Sequence, residues 1–183
     1  MSLLSTLKHS KMVLGCKNVF MKYMSKYNPV LATKILFRIS QGYALNLEEP
    51  KTLNEKLQYL KLNDWYNNEL VTKVVDKYRV REYLQELGLG HLLNELHGKG
   101  FYKSVEDIDI KELPEAFVLK CNHDSGSIII CKNKNEFNWE KEKKKLQTFL
   151  KKDYWLDNCE CQYKDVKKGI ICEKYLVDSE NGG

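Results

Sequence analysis

Three short apolar segments rich in strand-forming residues constrain the fold of this chain more than any other feature. The segment at 116–120 follows Pro114, and a polar loop at 121–127 separates it from a second segment at 128–131. β-Branched and aromatic residues favour strands, and two such segments joined by a short polar loop predict a hairpin. A further apolar run at 169–177 predicts one more strand. The C-terminal part of the chain is therefore expected to contain β-structure.

Residues 1–70 show helical patterns instead. Pro29 is suited to the first turn of a helix, where its missing N–H costs nothing. The run from Thr52 to Glu55 is a capping box, in which the threonine hydroxyl accepts from a backbone N–H and the glutamate reaches back to another. We expect a helical N-terminal region at 1–70.

Helices also occur among the strands of the second region, residues 71–183. Asp76 is suited to cap a helix that contains apolar residues at 80–87 and ends at Gly88 and Gly90. A basic run at 137–152 predicts another helix. The segment from these two glycines to Pro114 shows neither the helical nor the strand period of apolar residues, and it is expected to be a loop. The fold class is therefore α+β.

Composition excludes several classes of protein. The chain has 183 residues, of which 43% are apolar and 30% charged, and it carries a formal net charge of +5, values typical of a globular domain. No nucleic-acid-binding motif is found, and no apolar run is long enough to cross a bilayer. Residues 12–24 form an amphipathic pattern that Lys17 and Lys22 interrupt. Packing of this helix on its own domain is favoured, and peripheral membrane association is the alternative.

The six cysteines show no metal-binding spacing. Cys159-x-Cys161 has no matching second pair, so a zinc site is not expected. Cys121 and Cys172 lie in apolar segments and are expected in the core. Without a secretion signal, free thiols indicate a cytoplasmic protein.

The hairpin loop is the first candidate for chemistry. It follows Lys120 and contains Ser125, Gly126 and Ser127, whose small side chains allow backbone N–H groups and hydroxyls to approach phosphate oxygens. Lys77, beside Asp76, supplies a second ammonium group. The alternatives are an ordinary hairpin loop and a solvated first helical turn capped by the aspartate.

A charged pair interrupts the last apolar segment. Glu173 and Lys174 stand between apolar residues at 170–172 and 175–177. A buried carboxylate needs a hydrogen-bonding partner, and the amino group of adenine is one candidate. The alternative is an edge strand with a Glu-Lys pair on its surface.

The order of these elements, from Pro50 to Asp178, resembles the TupA-like ATP-grasp family. The resemblance rests on six short matches: Asn54-Glu55-Lys56-Leu57; Asp76-Lys77-Tyr78 with Arg81; Leu113-Pro114 with Phe117-Val118-Leu119-Lys120; Asn122-His123 with Ser125-Gly126; Tyr163-Lys164; and Glu173-Lys174-Tyr175-Leu176. It implies a helical N-terminal region followed by the first, nucleotide-binding subdomain of an ATP-grasp fold.

The resemblance implies ATP as a ligand and assigns residues to its phosphates. Lys77 and Lys120 match the two lysines that contact the phosphates. Ser125, Gly126 and Ser127 match the flexible loop that closes over them. Asp124 stands where the family more often has glycine, in a position where a negative charge opposes the triphosphate unless a cation offsets it.

Other residues are assigned to adenosine by the same resemblance. Glu173 matches the carboxylate that accepts from the adenine amino group, and the backbone near Lys174 and Leu176 matches the segment that pairs with the ring. Asp178 or Glu180 is expected to bind the ribose.

The implied activity is ATP-dependent activation of a carboxylate in surface polysaccharide or teichuronopeptide synthesis, with a small molecule or a polymer as acceptor. The alternatives are a glycosyltransferase-type protein and a non-catalytic ATP-binding module. The Mg²⁺ ligands of the family are expected downstream of residue 183, and no catalytic residue is assigned. Because the turn signal Asn181-Gly182 has no strand after it, we expect a chain that lacks the second subdomain and is inactive alone.

Overall fold

The computed structural model describes residues 11–177. The chain divides into two compact units, a helical unit of Met1–Val71 with Asp153–Lys164 and a sheet unit of Thr72–Lys152 with Asp165–Gly183. The segment 153–164 therefore returns to the helical unit after most of the sheet unit has been built. The sequence predicted two consecutive regions, 1–70 and 71–183, and this prediction did not include the return of residues 153–164 to the helical unit.

Within its described residues, the helical unit contains three helices of ten or more residues and two short helical turns. They are α1 Lys11–Tyr27, α2 Pro29–Gln41, α3 Leu53–Leu62, α7 Tyr154–Asp157 and a 3₁₀ turn at Cys161–Tyr163. Pro29 occupies the first turn of α2, as predicted, and the Asn28 side chain accepts from Leu31 N at 3.0 Å. Both halves of the predicted capping box are present at Thr52 and Glu55.

The described residues of the sheet unit form a four-stranded sheet, two helices and four short 3₁₀ turns, and helix α4, Glu69–Val75, precedes them in the chain. The helices are α5 Val80–Glu86 and α6 Trp139–Lys151, and the strands are β1 Leu96–Tyr102, β2 Phe117–Cys121, β3 Ile128–Cys131 and β4 Ile170–Lys174. The strand order is β1-β4-β2-β3, and every neighbouring pair is antiparallel. The α+β class and the hairpin of β2 with β3 are confirmed.

The two faces of the sheet differ in burial. On one face, Phe117, Leu119, Cys121 and Cys172 are fully buried and form a core with Leu146 of α6. Successive residues of a strand point to opposite faces of the sheet, so the residues next to these in sequence lie on the second face. On that second face Ile128 and Ile130 of the edge strand β3 are 42% and 47% exposed, whereas Val118 and Ile171 of the central strands are buried. The second face is called the open face below.

Strand β1 was not predicted, because its sequence lacks the alternation of a strand. It contains Gly98 and Gly100, both at positive φ, and its register shifts between Leu96 and Phe101. Pairing with β4 holds it in place, which is a tertiary effect that a local pattern does not show. The expectation of a loop throughout this segment is therefore wrong.

Two further alternatives from the sequence do not hold. Strand β4 lies between β1 and β2, so it is a central strand and not an edge strand. Asp76 accepts from the backbone N–H groups of Tyr78 and Arg79, at 2.9 and 3.3 Å, and so caps the turn before α5. The helix itself begins at Val80 without a side-chain cap.

Among residues 11–177, no helix has the length and apolar character needed to cross a membrane.

Candidate functional site

Lys77 is anchored against the loop between β2 and β3. Its Nζ donates to the carbonyl of Cys121 at 3.0 Å and to the carbonyl of Asp124, and it lies 3.9 Å from Asp124 Oδ1. Burial lowers the pKa of the Lys77 ammonium, and the Asp124 carboxylate opposes that shift. The side chain is still 31% exposed, so it can also meet a ligand.

Asp124 faces the protein and not the solvent. It is 1% exposed, and its Oδ2 accepts from the Ser127 hydroxyl. Its negative charge is therefore offset by Lys77, whose Nζ lies 3.9 Å from Asp124 Oδ1.

The tip of the loop is the exposed part. Ser125 and Gly126 are exposed, whereas Ser127 is buried. Gly126 has a φ of +103°, where a side chain would strain the backbone, although no heavy atom lies within 4 Å of an added Cβ. The glycine is thus required by backbone conformation, and the space around it is free for a ligand.

Asn122 joins the loop to the turn before α5 and to the start of β4. Its Nδ2 donates to Asp76 Oδ1 and to the Lys167 carbonyl, each at 2.9 Å, and its Oδ1 accepts from Gly169 N at 2.7 Å. Its carbonyl also accepts from Lys77 N at 3.3 Å. This role was not predicted from the sequence, where an asparagine in a polar loop has no distinguishing feature.

Lys120 and Glu173 meet on the open face. Val118 pairs directly with Glu173 across β2 and β4, and Lys120 is two residues further along the same face. The Lys120 Nζ donates to Glu173 Oε2 at 2.6 Å, with side-chain exposures of 30% and 13%. The half-buried carboxylate therefore has a partner, which is the lysine expected at the phosphates.

Lys174 points away from this pair, since neighbours in a strand face opposite sides. Its Nζ lies 3.4 Å from Glu95 Oε2, and its backbone N donates to the Glu95 carbonyl at 2.9 Å. Its carbonyl accepts from Asn94 Nδ2 at 2.9 Å. Leu176 follows β4 and is 67% exposed. Asp178 and Glu180, the expected ribose ligands, lie outside the described residues.

Two aromatic rings stack on each other next to the turn before α5. Tyr78 stacks on Phe101 with ring centroids 4.6 Å apart. A Cβ at Gly169 would clash with the Phe101 ring, so only glycine allows this ring to lie over the start of β4. Neither ring was predicted as part of the site, because β1 was not predicted.

His123 is buried beside the loop. It is 2% exposed, its Nε2 lies 3.1 Å from the Lys152 carbonyl, and burial lowers its pKa. A neutral ring that donates from Nε2 is the form that fits, and this form ties the loop to the end of α6.

The arrangement suits an anionic ligand. Two ammonium groups come from different elements: Lys77 lies against the loop carbonyls of Cys121 and Asp124, and Lys120 lies near the end of the strand that leads into this loop. Beside them are an exposed Ser-Gly loop and a carboxylate with a second oxygen available. Within residues 11–177 no group of three or more His, Cys, Asp or Glu side chains is arranged to hold a metal ion.

Comparison with known proteins agrees with the resemblance. A family model described as TupA-like ATPgrasp matches residues 55–182, which include every element of the site. Comparisons with curated proteins and with solved structures gave no match. The matched segment exceeds half of the chain and contains the two lysines, the loop and the carboxylate in the expected order, so the chain belongs to the TupA-like ATP-grasp family.

Proposed function

We propose that the sheet unit binds ATP, with the triphosphate against Lys77 and Lys120. The observation that carries the proposal is geometric: Lys77 is anchored on the loop that follows β2, and Lys120 lies one residue before the end of that strand, in a chain of the ATP-grasp family. Lys77 is already held against this loop, so less side-chain entropy is lost when it meets a phosphate than for a freely moving lysine. Ser125, Gly126 and Ser127 then close over the phosphates with backbone N–H groups and hydroxyls.

Adenine is proposed to bind beside Glu173. In the absence of a ligand, Lys120 neutralises this carboxylate at 2.6 Å. When the triphosphate binds, Lys120 can turn to the phosphates, and the carboxylate then accepts from the adenine amino group. The backbone near Lys174 and Leu176 is proposed to pair with the ring, and Asp178 or Glu180 with the ribose.

The proposed reaction is carboxylate activation with ATP and Mg²⁺ in surface polysaccharide or teichuronopeptide synthesis. A substrate carboxylate oxygen attacks the γ-phosphorus, the bond to the ADP oxygen breaks, and an acylphosphate forms. A nucleophile such as an amine then attacks the acyl carbon and releases phosphate. Lys77 and Lys120 would contribute by positioning the phosphates and neutralising charge on the transferring group.

Two other activities remain to be separated from ligation by experiment. A glycosyltransferase-type protein would release a nucleoside diphosphate from a sugar donor without consuming ATP. A non-catalytic ATP-binding module would bind ATP and form neither product. Analysis of the nucleotide products after incubation of the protein with ATP and candidate acceptors distinguishes all three.

The phosphate contacts are tested by substitution of each lysine. Lys77→Met and Lys120→Met should each weaken ATP binding by about 1–3 kcal/mol, the range for loss of a charge-assisted hydrogen bond. Isothermal titration calorimetry measures the change. Lys144→Met is the matched control, because Lys144 is an exposed lysine on α6, which packs on the other face of the sheet. Wild-type affinity in both site variants would overturn the proposed phosphate site.

We also propose that α1 associates peripherally with an anionic membrane surface, at the cytoplasmic side. Helices α1 and α2 expose Phe20, Tyr23, Tyr27 and Val30, by 43–63% of their areas. Residues 1–47 contain seven lysines and arginines and no aspartate or glutamate. Exposed aromatic residues with an excess of positive charge are typical of helices that lie at the interface of an anionic bilayer.

Sedimentation with lipid vesicles tests this surface. The full chain should bind phosphatidylcholine vesicles that contain phosphatidylglycerol, release in high salt, and not bind phosphatidylcholine alone. Phe20→Ser with Tyr23→Ser should abolish binding, whereas Leu92→Ser, at a residue that is 67% exposed in the sheet unit, should not. Absence of vesicle binding, or a change of oligomeric state in the double variant, would identify the surface as something other than a lipid contact.

A further inference from the structure

The helical unit contains a cavity that the ATP site does not use. It has a volume of about 510 Å³ and lies between α2, α3 and the segment 158–162. This volume is within the usual range for small-molecule sites, roughly 300–1,000 Å³. Apolar side chains form part of its wall, among them Leu36, Phe37 and Trp65.

Lys61 supplies a buried ammonium group at the cavity. The residue lines the cavity, is only 8% exposed, and has no hydrogen-bond or ion-pair partner among residues 11–177. Burial lowers the pKa of Lys61 and raises the pKa of the neighbouring Glu160. A close ion pair would instead raise the pKa of Lys61 and lower the pKa of Glu160. The Glu160 carboxylate therefore does not fully neutralise the charge of Lys61.

The thiols of Cys159 and Cys161 are the other groups whose negative charge would act on Lys61. The Cys161 thiol, 4.0 Å away, lowers the pKa of Cys159 to about 6. Both residues are buried in the small core around Met21 and Ala32, and neither lines the cavity. Because Lys61 lines the cavity and neither cysteine does, a ligand in the cavity would meet the lysine without displacing a thiol.

A neutral polar group at the cavity also has no partner. Gln162 Oε1 is buried and makes no hydrogen bond within the described part of the chain. Buried polar groups without partners cost about 1–3 kcal/mol each, and a ligand that bonds to them recovers this energy. Gln162 Oε1 can only accept, so the ligand must bring a donor such as a hydroxyl.

We propose that this cavity binds a small oxyanion that also carries hydroxyl groups, a sugar acid or a sugar phosphate, with Lys61 as the anion-binding residue. The anion meets Lys61, the hydroxyls meet Gln162, Thr33 and Glu160, and the C–H surface of the ring packs on Trp65. A neutral sugar lacks the first interaction, and a simple carboxylate lacks the others.

Calorimetry on the full chain with D-glucuronate, glucose 6-phosphate and D-glucose tests the proposal. At least one anionic sugar should bind ten or more times tighter than glucose, by about 1.4 kcal/mol or more. The tighter of the two shows whether the site takes a carboxylate or a phosphate. No binding of either anion, or equal affinity for glucose, would overturn the proposal.

Substitution of the lysine provides the matched control. Lys61→Met should remove the preference for the anionic sugar, whereas Lys56→Met, at an exposed lysine on the same helix, should keep it. ATP affinity should be unchanged in Lys61→Met, which separates this site from the proposed nucleotide site. Removal of an unpaired buried charge is not expected to lower the melting temperature.

A second measurement does not depend on the folding of a variant. In the wild-type protein labelled with ¹⁵N-tryptophan, the indole signal of Trp65 should shift with the anionic sugar and not with glucose. Trp139 and Trp155, which do not line the cavity, serve as internal references. An unchanged Trp65 signal at a concentration where calorimetry detects binding would place the ligand elsewhere and overturn the assignment.

Discussion

At the scale of single residues, the candidate site is assembled from pairs that neutralise each other. Lys120 donates to Glu173 on the open face, and Lys77 lies beside the buried Asp124. Each lysine was predicted as a phosphate ligand, but neither partner was predicted for it. Binding of an anion must therefore compete with these internal contacts, and the acidic partners set part of the affinity.

Replacement of Glu173 by glutamine should reduce the preference of the protein for ATP over GTP. A carboxylate can only accept, which suits the amino group of adenine, whereas an amide can also donate to the guanine carbonyl. We expect the ratio of ATP to GTP affinity to fall about tenfold, as for the loss of one hydrogen bond to a charged group. Competition binding measures the ratio, and Glu95→Gln, which removes the surface partner of Lys174, is the control. An unchanged ratio would mean that Glu173 does not contact the base.

Asn122 should matter most for stability among the residues around the loop. Replacement of Asn122 by alanine removes one hydrogen bond from each of Gly169 N, Asp76 Oδ1 and the Lys167 carbonyl. The Asn122 side chain is 1% exposed, so water does not readily replace these hydrogen bonds. We expect a loss of about 3 kcal/mol in the free energy of unfolding, measured by urea denaturation. The control Asn135→Ala, at an exposed position, should change it by less than about 0.5 kcal/mol. Equal effects in the two variants would contradict this role.

At the scale of elements, the strongest local signals are helix ends. The capping box of α3 and the proline turn of α2 form as predicted, because the groups involved lie within four residues of one another. Strand β1 is the opposite case, since the strand that it pairs with, β4, lies about seventy residues away in the chain.

The capping box should also make the helical unit sensitive to acid. Backbone N–H donation, first from Thr52, lowers the pKa of Glu55 below its ordinary value of 4.5. Its contribution to stability is therefore present above that value and is lost as the pH falls through the lowered pKa. Thermal melts between neutral pH and about pH 3 should show wild type more stable than Glu55→Gln at neutral pH and the two converging in acid. A constant difference at all pH values would show that the carboxylate charge is not involved.

At the scale of the whole molecule, the division into units does not follow the chain. Residues 153–164 belong to the helical unit although the sheet unit surrounds them in sequence. Cys159 and Cys161 explain the return, because they are buried against Met21 and Ala32. Isolated cysteines in a polar segment give no sequence signal for such a contact.

The sequence by itself determined the fold class, the hairpin of β2 with β3, the main helix ends and the family, because each rests on local patterns or on the order of short motifs. The residues proposed to contact ATP were also found this way, through their resemblance to the family. Only the tertiary structure decided that β4 is a central strand, that Asp124 faces inward, that Glu173 meets Lys120, and that Lys61 lines a cavity without a partner. Those features depend on contacts between residues far apart in the chain, which no local pattern encodes.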